Sequence, residues 1–135
     1  MKRPRLVRKS LQYGALGMLT AVMLGAFGAH GLQALLPEKV LNTYQTAVQY
    51  QIYHSLGLLV IGAISQRQDS PLLVFSYRCF GWGILIFSGS LYLLVASTLF
   101  MVEPQAWLGA ITPIGGSLFI AGWISFIWRL FDLKK

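Results

Sequence analysis

The sequence predicts an all-α integral membrane bundle of four helices, N-in and C-in, with an amphipathic interfacial segment after the first span. Three observations predict it. Four apolar blocks, each long enough to cross about 30 Å of hydrocarbon, are separated by short polar stretches. Only 11% of the 135 residues are charged, against about 25% in a soluble domain, which leaves too little polar surface to face water on every side. Ten of the eleven Lys and Arg residues fall on one side of the implied arrangement: Lys2, Arg3, Arg5, Arg8 and Lys9 before the first block, Arg67 and Arg78 around the second gap, and Arg129, Lys134 and Lys135 after the last block. Only Lys39 lies on the other side. That asymmetry is the positive-inside pattern of a multi-pass protein with both termini in the cytoplasm.

The net charge of +7 sits at the ends of apolar spans rather than on one folded face, so it points to anionic lipid head groups and not to nucleic acid. Residues 1–10 read as a basic cytoplasmic leader, and residues 11–135 as a single four-span domain. The leader and first block resemble a signal peptide in outline, but the apolar run of residues 11–33 is longer than the ~7–15-residue core of a cleavable signal. It is expected to remain as a span. Cys79 is the single cysteine; it cannot form an intramolecular disulfide and reads as a structural thiol.

The spans are expected at about residues 11–33, 48–65, 79–101 and 107–128. In the first, Gly17, Ala21, Gly25 and Ala29 recur at every fourth position, with Gly28 and Gly31 nearby. In lipid there is little hydrophobic drive between helices, so small residues that let backbones approach carry the association. Pro37 and Glu38 suit the first turn of the next helix, a ring with fixed φ followed by an acid at the positive dipole end. The proline-free run that follows, residues 38–65, is polar in its first half, with Asn42, Thr43, Gln45, Gln49 and Gln51. That half reads as amphipathic, either continuing into the second span or bent from it. Arg78 sets the start of the third span at residue 79, because a charge at the bilayer centre costs about 2.5–3.5 kcal/mol on insertion scales. The fourth span is framed by Trp107 and Trp128 as an aromatic belt requires. Gly109, Pro113, Ser117, Ala121 and Ser125 form its small-residue face, and Pro113 is expected to bend or locally unwind it.

Polar groups inside a span are the default candidates for function. If the first two spans are neighbours, His30 and His54 could face each other, with Gln51, Tyr53 and Thr112 at similar depth. Three readings of this cluster compete. Neutral imidazoles could be interhelical packing bonds, each contributing about 0.6 kcal/mol. The group could line a path for a small polar solute or a proton, or hold a metal or haem through the two histidines. Two ligands without a nearby carboxylate or thiol are a minimal metal set, and no cofactor or metal site is expected. In the third span Ser88 and Gly89, with Tyr92 on the same face, read as packing groups. No base accompanies Ser88 for nucleophilic catalysis, and no phosphate loop, HExxH or CxxC is present. No catalytic residue is therefore expected.

Five segments in order carry a resemblance: Gly25-Ala26-Phe27-Gly28-Ala29-His30, Gln49-Tyr50-Gln51-Ile52-Tyr53-His54, Phe87-Ser88-Gly89-Ser90-Leu91-Tyr92, Thr112-Pro113-Ile114-Gly115-Gly116 and Gly122-Trp123. Together they resemble domain of unknown function 423, a family of small four-span bacterial inner-membrane proteins related to transmembrane protein 256. The resemblance covers nearly the whole chain after the basic leader. It implies the localisation and topology above and brings no activity, cofactor or catalytic residue. The expected role is non-enzymatic, acting through helix association with a second copy or another membrane protein. A carrier or channel using the His30–His54 region is the alternative, and a haem- or metal-binding protein the third.

Overall fold

The computed structural model describes residues 2–67, 70–103 and 106–132. Gln68 and Asp69 of the expected inner turn, Pro104 and Gln105 of the outer turn, and the basic residues Lys134 and Lys135 lie outside the described residues. Four helices account for almost everything else: α1 (Arg3–Leu32), α2 (Glu38–Ser65), α3 (Pro71–Leu99) and α4 (Ala106–Phe131). At 1.5 Å per residue they run about 39–45 Å, longer than the hydrocarbon core. All four are long and apolar enough to cross a membrane.

Local sequence explains the helix ends. Ser70 caps α3, its hydroxyl accepting from the Leu72 amide at 3.2 Å with Pro71 in the first turn. After Leu99 the Met101 amide bonds to Thr98 and the Val102 amide to Ser97, a Schellman closure. It places Met101 at φ 53°, where a side chain costs about 1–2 kcal/mol that glycine would not incur. Helix α1 starts at Arg3, inside the expected leader, and Leu6 is fully buried in the core. Helix α2 is unbroken from Glu38 to Ser65, so the amphipathic segment continues straight into the span. Its length exceeds the hydrocarbon by about 12 Å, or eight residues, which accommodates the polar residues around Asn42 and Gln45 outside the oil.

Helix α3 begins at Pro71 and passes through Arg78 without interruption. It contains a π-helical turn at Ile84–Ser88, and α1 ends in another at Gly28–Leu32. Helix α4 stays helical across Pro113 and is not unwound there.

Each helix packs antiparallel on its sequence neighbour. Gly62 meets Leu11 and Gly28 meets Tyr44 across α1–α2; Gly57 meets Phe80 across α2–α3; Gly122 meets Phe80 and Gly115 meets Phe87 across α3–α4. Arg3 and Phe131 therefore share one end of the bundle. Helix α2 is central, with half of its apolar window buried, whereas α1 has 17% buried and leans almost entirely on α2. One core cluster (Leu6, Leu58, Ile61, Leu73, Phe80, Phe119 and Phe126) fills the end near the termini. A second (Leu32, Leu36, Tyr44, Val48 and Val95) fills the other. Gln51, His54 and Ser88 lie between them, all buried.

The small-residue seams follow a 3–4 alternation rather than the strict fourth-position stripes. On α1 the buried line is Ser10, Gly14, Ala21 and Gly28, with Gly17 against the Ser55 side chain and Gly25 against Val48. Ala29 is exposed. On α4 the buried line is Leu108, Gly115, Phe119, Gly122 and Phe126. Gly109, Pro113 and Ser117 are exposed, and Ala121 is half-buried. A step of four advances 400°, so a strict stripe drifts by 40° per step and leaves the interface within three. Ser10 and Ser55 are buried along the α1–α2 seam, and Ser65 is buried near the end of α2, none with a hydrogen-bond partner among the described residues, so they serve there by their small size.

Candidate functional site

The expected cluster of His30, Gln51, Tyr53, His54 and Thr112 is not one site. His30 is exposed on the π turn that ends α1, and Tyr53 is 55% exposed. The other three belong to separate polar nodes. Residues three apart on a helix are rotated by about 300°, which turns Gln51 toward α1 and His54 toward α4.

The His54 node is closed. Nδ1 lies 2.8 Å from the Tyr50 carbonyl, and Nε2 lies 3.1 Å from Trp123 Nε1. A carbonyl only accepts and an indole N–H only donates, so the imidazole is the neutral Nδ1–H tautomer with both nitrogens engaged. Its ring stacks on Phe119, centroids 3.4 Å apart at 11°, with the edge of Phe80 at 5.3 Å. No lone pair is left for a metal or haem, and His30 does not share the environment. The Thr112 node joins α3 and α4 through a 2.7 Å contact with the Ser90 hydroxyl. Ser90 also bonds to the Phe87 carbonyl and Thr112 to the Leu108 carbonyl.

The Gln51 node ties three helices. The amide nitrogen donates to the Gly17 carbonyl at 2.9 Å and to Thr20 Oγ1 at 2.8 Å, both on α1. The amide oxygen accepts from the Tyr92 hydroxyl of α3 at 2.8 Å. Ser88 adds a bond to the Ala47 carbonyl of α2 at 2.8 Å. We expect Gln51→Leu to cost about 1–2 kcal/mol, as three bonds of about 0.6 kcal/mol each imply. Thermal unfolding in mild detergent checks this, and equal stability of Gln51→Leu and wild type would count against the node.

This node floors a cavity of the bundle. Because α1 leans on α2 and scarcely touches α3, a lateral cleft of about 750 Å³ remains between α1 and α3, within the usual range of ligand sites of about 300–1,000 Å³. Leu16, Leu24, Trp82, Ile84 and Leu85 make its walls apolar; Thr20, Gln51, Ser88 and Tyr92 give it a polar floor. Gly81 and Gly89 also line it, and a methyl added at either would meet nothing within 4 Å. At the end near the termini stand Arg78, Tyr13 and Tyr77, the two phenol rings stacked at 6.4 Å. Arg78 is the single charged residue among the described residues that line the cleft. Sequence reasoning missed this site because it treated Arg78 as a boundary problem and Thr20 as background. A mid-span Trp whose N–H needs a partner was the available signal for the His54 bond.

The comparisons with known proteins agree with the architecture. The family described as protein of unknown function (DUF423) matches residues 24–116. The chain belongs to this family. It is 44% identical over 122 residues to a UPF0382 membrane protein of Staphylococcus haemolyticus, covering 87% of this chain and 91% of the relative. It is 44% identical over 118 residues to the UPF0382 membrane protein YwdK of Bacillus subtilis, covering 84% and 89%. A UPF0382 membrane protein of Staphylococcus epidermidis is 48% identical over 111 residues, covering 82% and 85%. No solved structure matches the chain. The protein is thus a small multi-pass membrane protein of a family whose role is uncharacterised.

Proposed function

We propose that this protein is a non-enzymatic binding protein of the inner membrane, and that the α1–α3 cleft takes up an amphiphile from the bilayer. The cleft carries the reading: it is apolar along its walls, polar along its floor and open sideways between two helices. A solute path through His30 and His54 loses its geometry, since His54 is closed by Phe119 and Trp123 and His30 faces outward. Helix association finds support on the outer face of α4, where Gly109, Pro113 and Ser117 are exposed. The positive-inside pattern supports cytoplasmic termini, because up-and-down packing gathers Arg3, Arg5, Arg8, Arg67 and Arg129 at one end and Lys39 at the other.

Filling the cleft tests the reading. Gly81→Leu with Gly89→Leu adds side chains where the structure has open space, so the fold is expected to tolerate both. Mass spectrometry of the intact protein released from detergent is expected to show bound lipid on the wild type and at least a fivefold loss on the double variant. Equal lipid occupancy in a stably folded double variant would remove the cleft as the binding site.

A further inference from the structure

We propose, on the reading of the cleft as a lipid site, that Arg78 makes it selective for an anionic lipid of the leaflet that faces the chain termini. The acyl chain would lie against Leu16, Ile84 and Leu85, and the acidic head group would meet Arg78 at the mouth.

Position supports this pairing. Arg78 is seven residues into α3, about 10 Å along its axis. The helix exceeds the hydrocarbon by about 13 Å, so an even overhang puts Arg78 within one turn of the boundary. There its long side chain can reach the head-group layer while its stem stays in oil. Charge complementarity selects the occupant. Arg78 is exposed, and no carboxylate appears among the described residues that line the cleft. Its guanidinium presents a planar fork of donors suited to a phosphate or carboxylate. Tyr13 and Tyr77 stand beside it, supplying two phenols able to donate to the same anion. A transmembrane helix from a partner would instead bring a neutral apolar surface to this mouth and leave the cation without a counter-charge.

The experiment offers phosphatidylglycerol and phosphatidylcholine of identical acyl composition to the delipidated protein in detergent and reads occupancy by mass spectrometry. Wild type is expected to prefer phosphatidylglycerol about five- to tenfold, the effect of one basic side chain at an anionic surface. Arg78→Gln is expected to abolish the preference while phosphatidylcholine still binds, and Arg78→Lys to retain most of it. Arg67→Gln is the control for general surface charge: it is basic, exposed and at the same end, yet outside the cleft. An equal loss of preference in Arg67→Gln and Arg78→Gln would overturn the assignment to Arg78. Occupancy that survives Gly81→Leu with Gly89→Leu would overturn the cleft itself, a separate failure. Displacement of phosphatidylglycerol by millimolar inorganic phosphate would point to a soluble anion. A dimer that excludes lipid on forming would make a second copy the occupant. Either result would overturn the proposal.

Discussion

Gly115→Ala is expected to be among the most damaging single-methyl additions in this chain. A Cβ at Gly115 would stand 2.5 Å from the Phe87 amide nitrogen, 2.7 Å from its Cβ and 2.8 Å from its Cα. Two of those atoms are backbone, so no rotamer change relieves the overlap, and α3 and α4 must part. Interfaces in lipid depend on dispersion contacts at close approach, and those contacts fall away with small separations. Overpacking costs about 1–3 kcal/mol in well-packed interiors, and a backbone collision belongs at the upper end. Phe87 also lies in the π turn Ile84–Ser88, whose carbonyl from residue 87 holds Ser90, itself bonded to Thr112. The disturbance therefore reaches the Ser90–Thr112 bond across the same seam. Gly109→Ala is the matched control, since its added methyl meets nothing within 4 Å. It should change stability by less than about 0.5 kcal/mol. Thermal unfolding in one detergent compares the two, and equal midpoints would refute the close-packed α3–α4 seam.

Glycine and alanine positions show how far the sequence could be read. The number of spans and their order were legible, because block length follows from the solvent alone. The seams were legible only in kind. A fourth-position rule found Gly17, Ala21 and Gly25 on the correct side of α1 but carried Ala29 out to the surface and passed over Gly14, while the group Gly25, Gly28 and Gly31 at a period of three had pointed to the buried Gly28. The same rule gathered Gly109, Pro113 and Ser117 on one small-residue face of α4, but the seam within this chain runs through Gly115, Phe119 and Gly122. The π turn in α3 was not legible, since no residue in Ile84–Ser88 marks the extra residue in the turn. Gln51 and His54 were found as buried polar residues, yet their partners were not, because a side chain's facing depends on rotation about an axis and depth along it. The cleft was missed for a related reason: it arises where α1 and α3 diverge beyond the Tyr13–Tyr77 stack, and no local pattern records such a divergence.

His54→Ala is expected to cost more than any other removal of a polar side chain, about 3–4 kcal/mol, comparable with truncating a buried aromatic ring. The imidazole lies flat on Phe119 and against Phe80, and it accepts the Trp123 N–H. Its loss opens a cavity where α2, α3 and α4 meet and leaves the indole N–H without its acceptor. His54→Phe separates these contributions. A phenyl ring keeps the stack and most of the volume, so the remaining cost is the lost hydrogen bond, between about 0.6 and 1.7 kcal/mol in membrane bundles. His30→Ala, at an exposed position, is expected to change stability by less than about 0.5 kcal/mol. The order Ala far below Phe at position 54, with position 30 neutral, is what a structural histidine requires. A ligand-binding histidine would instead lose function equally in His54→Ala and His54→Phe while both stayed folded. Lipid occupancy supplies the deciding measurement: His54 lies on the α4 side of α2, outside the cleft, so folded His54→Phe should hold lipid as wild type does, and a fivefold loss would place the working site at the histidine after all.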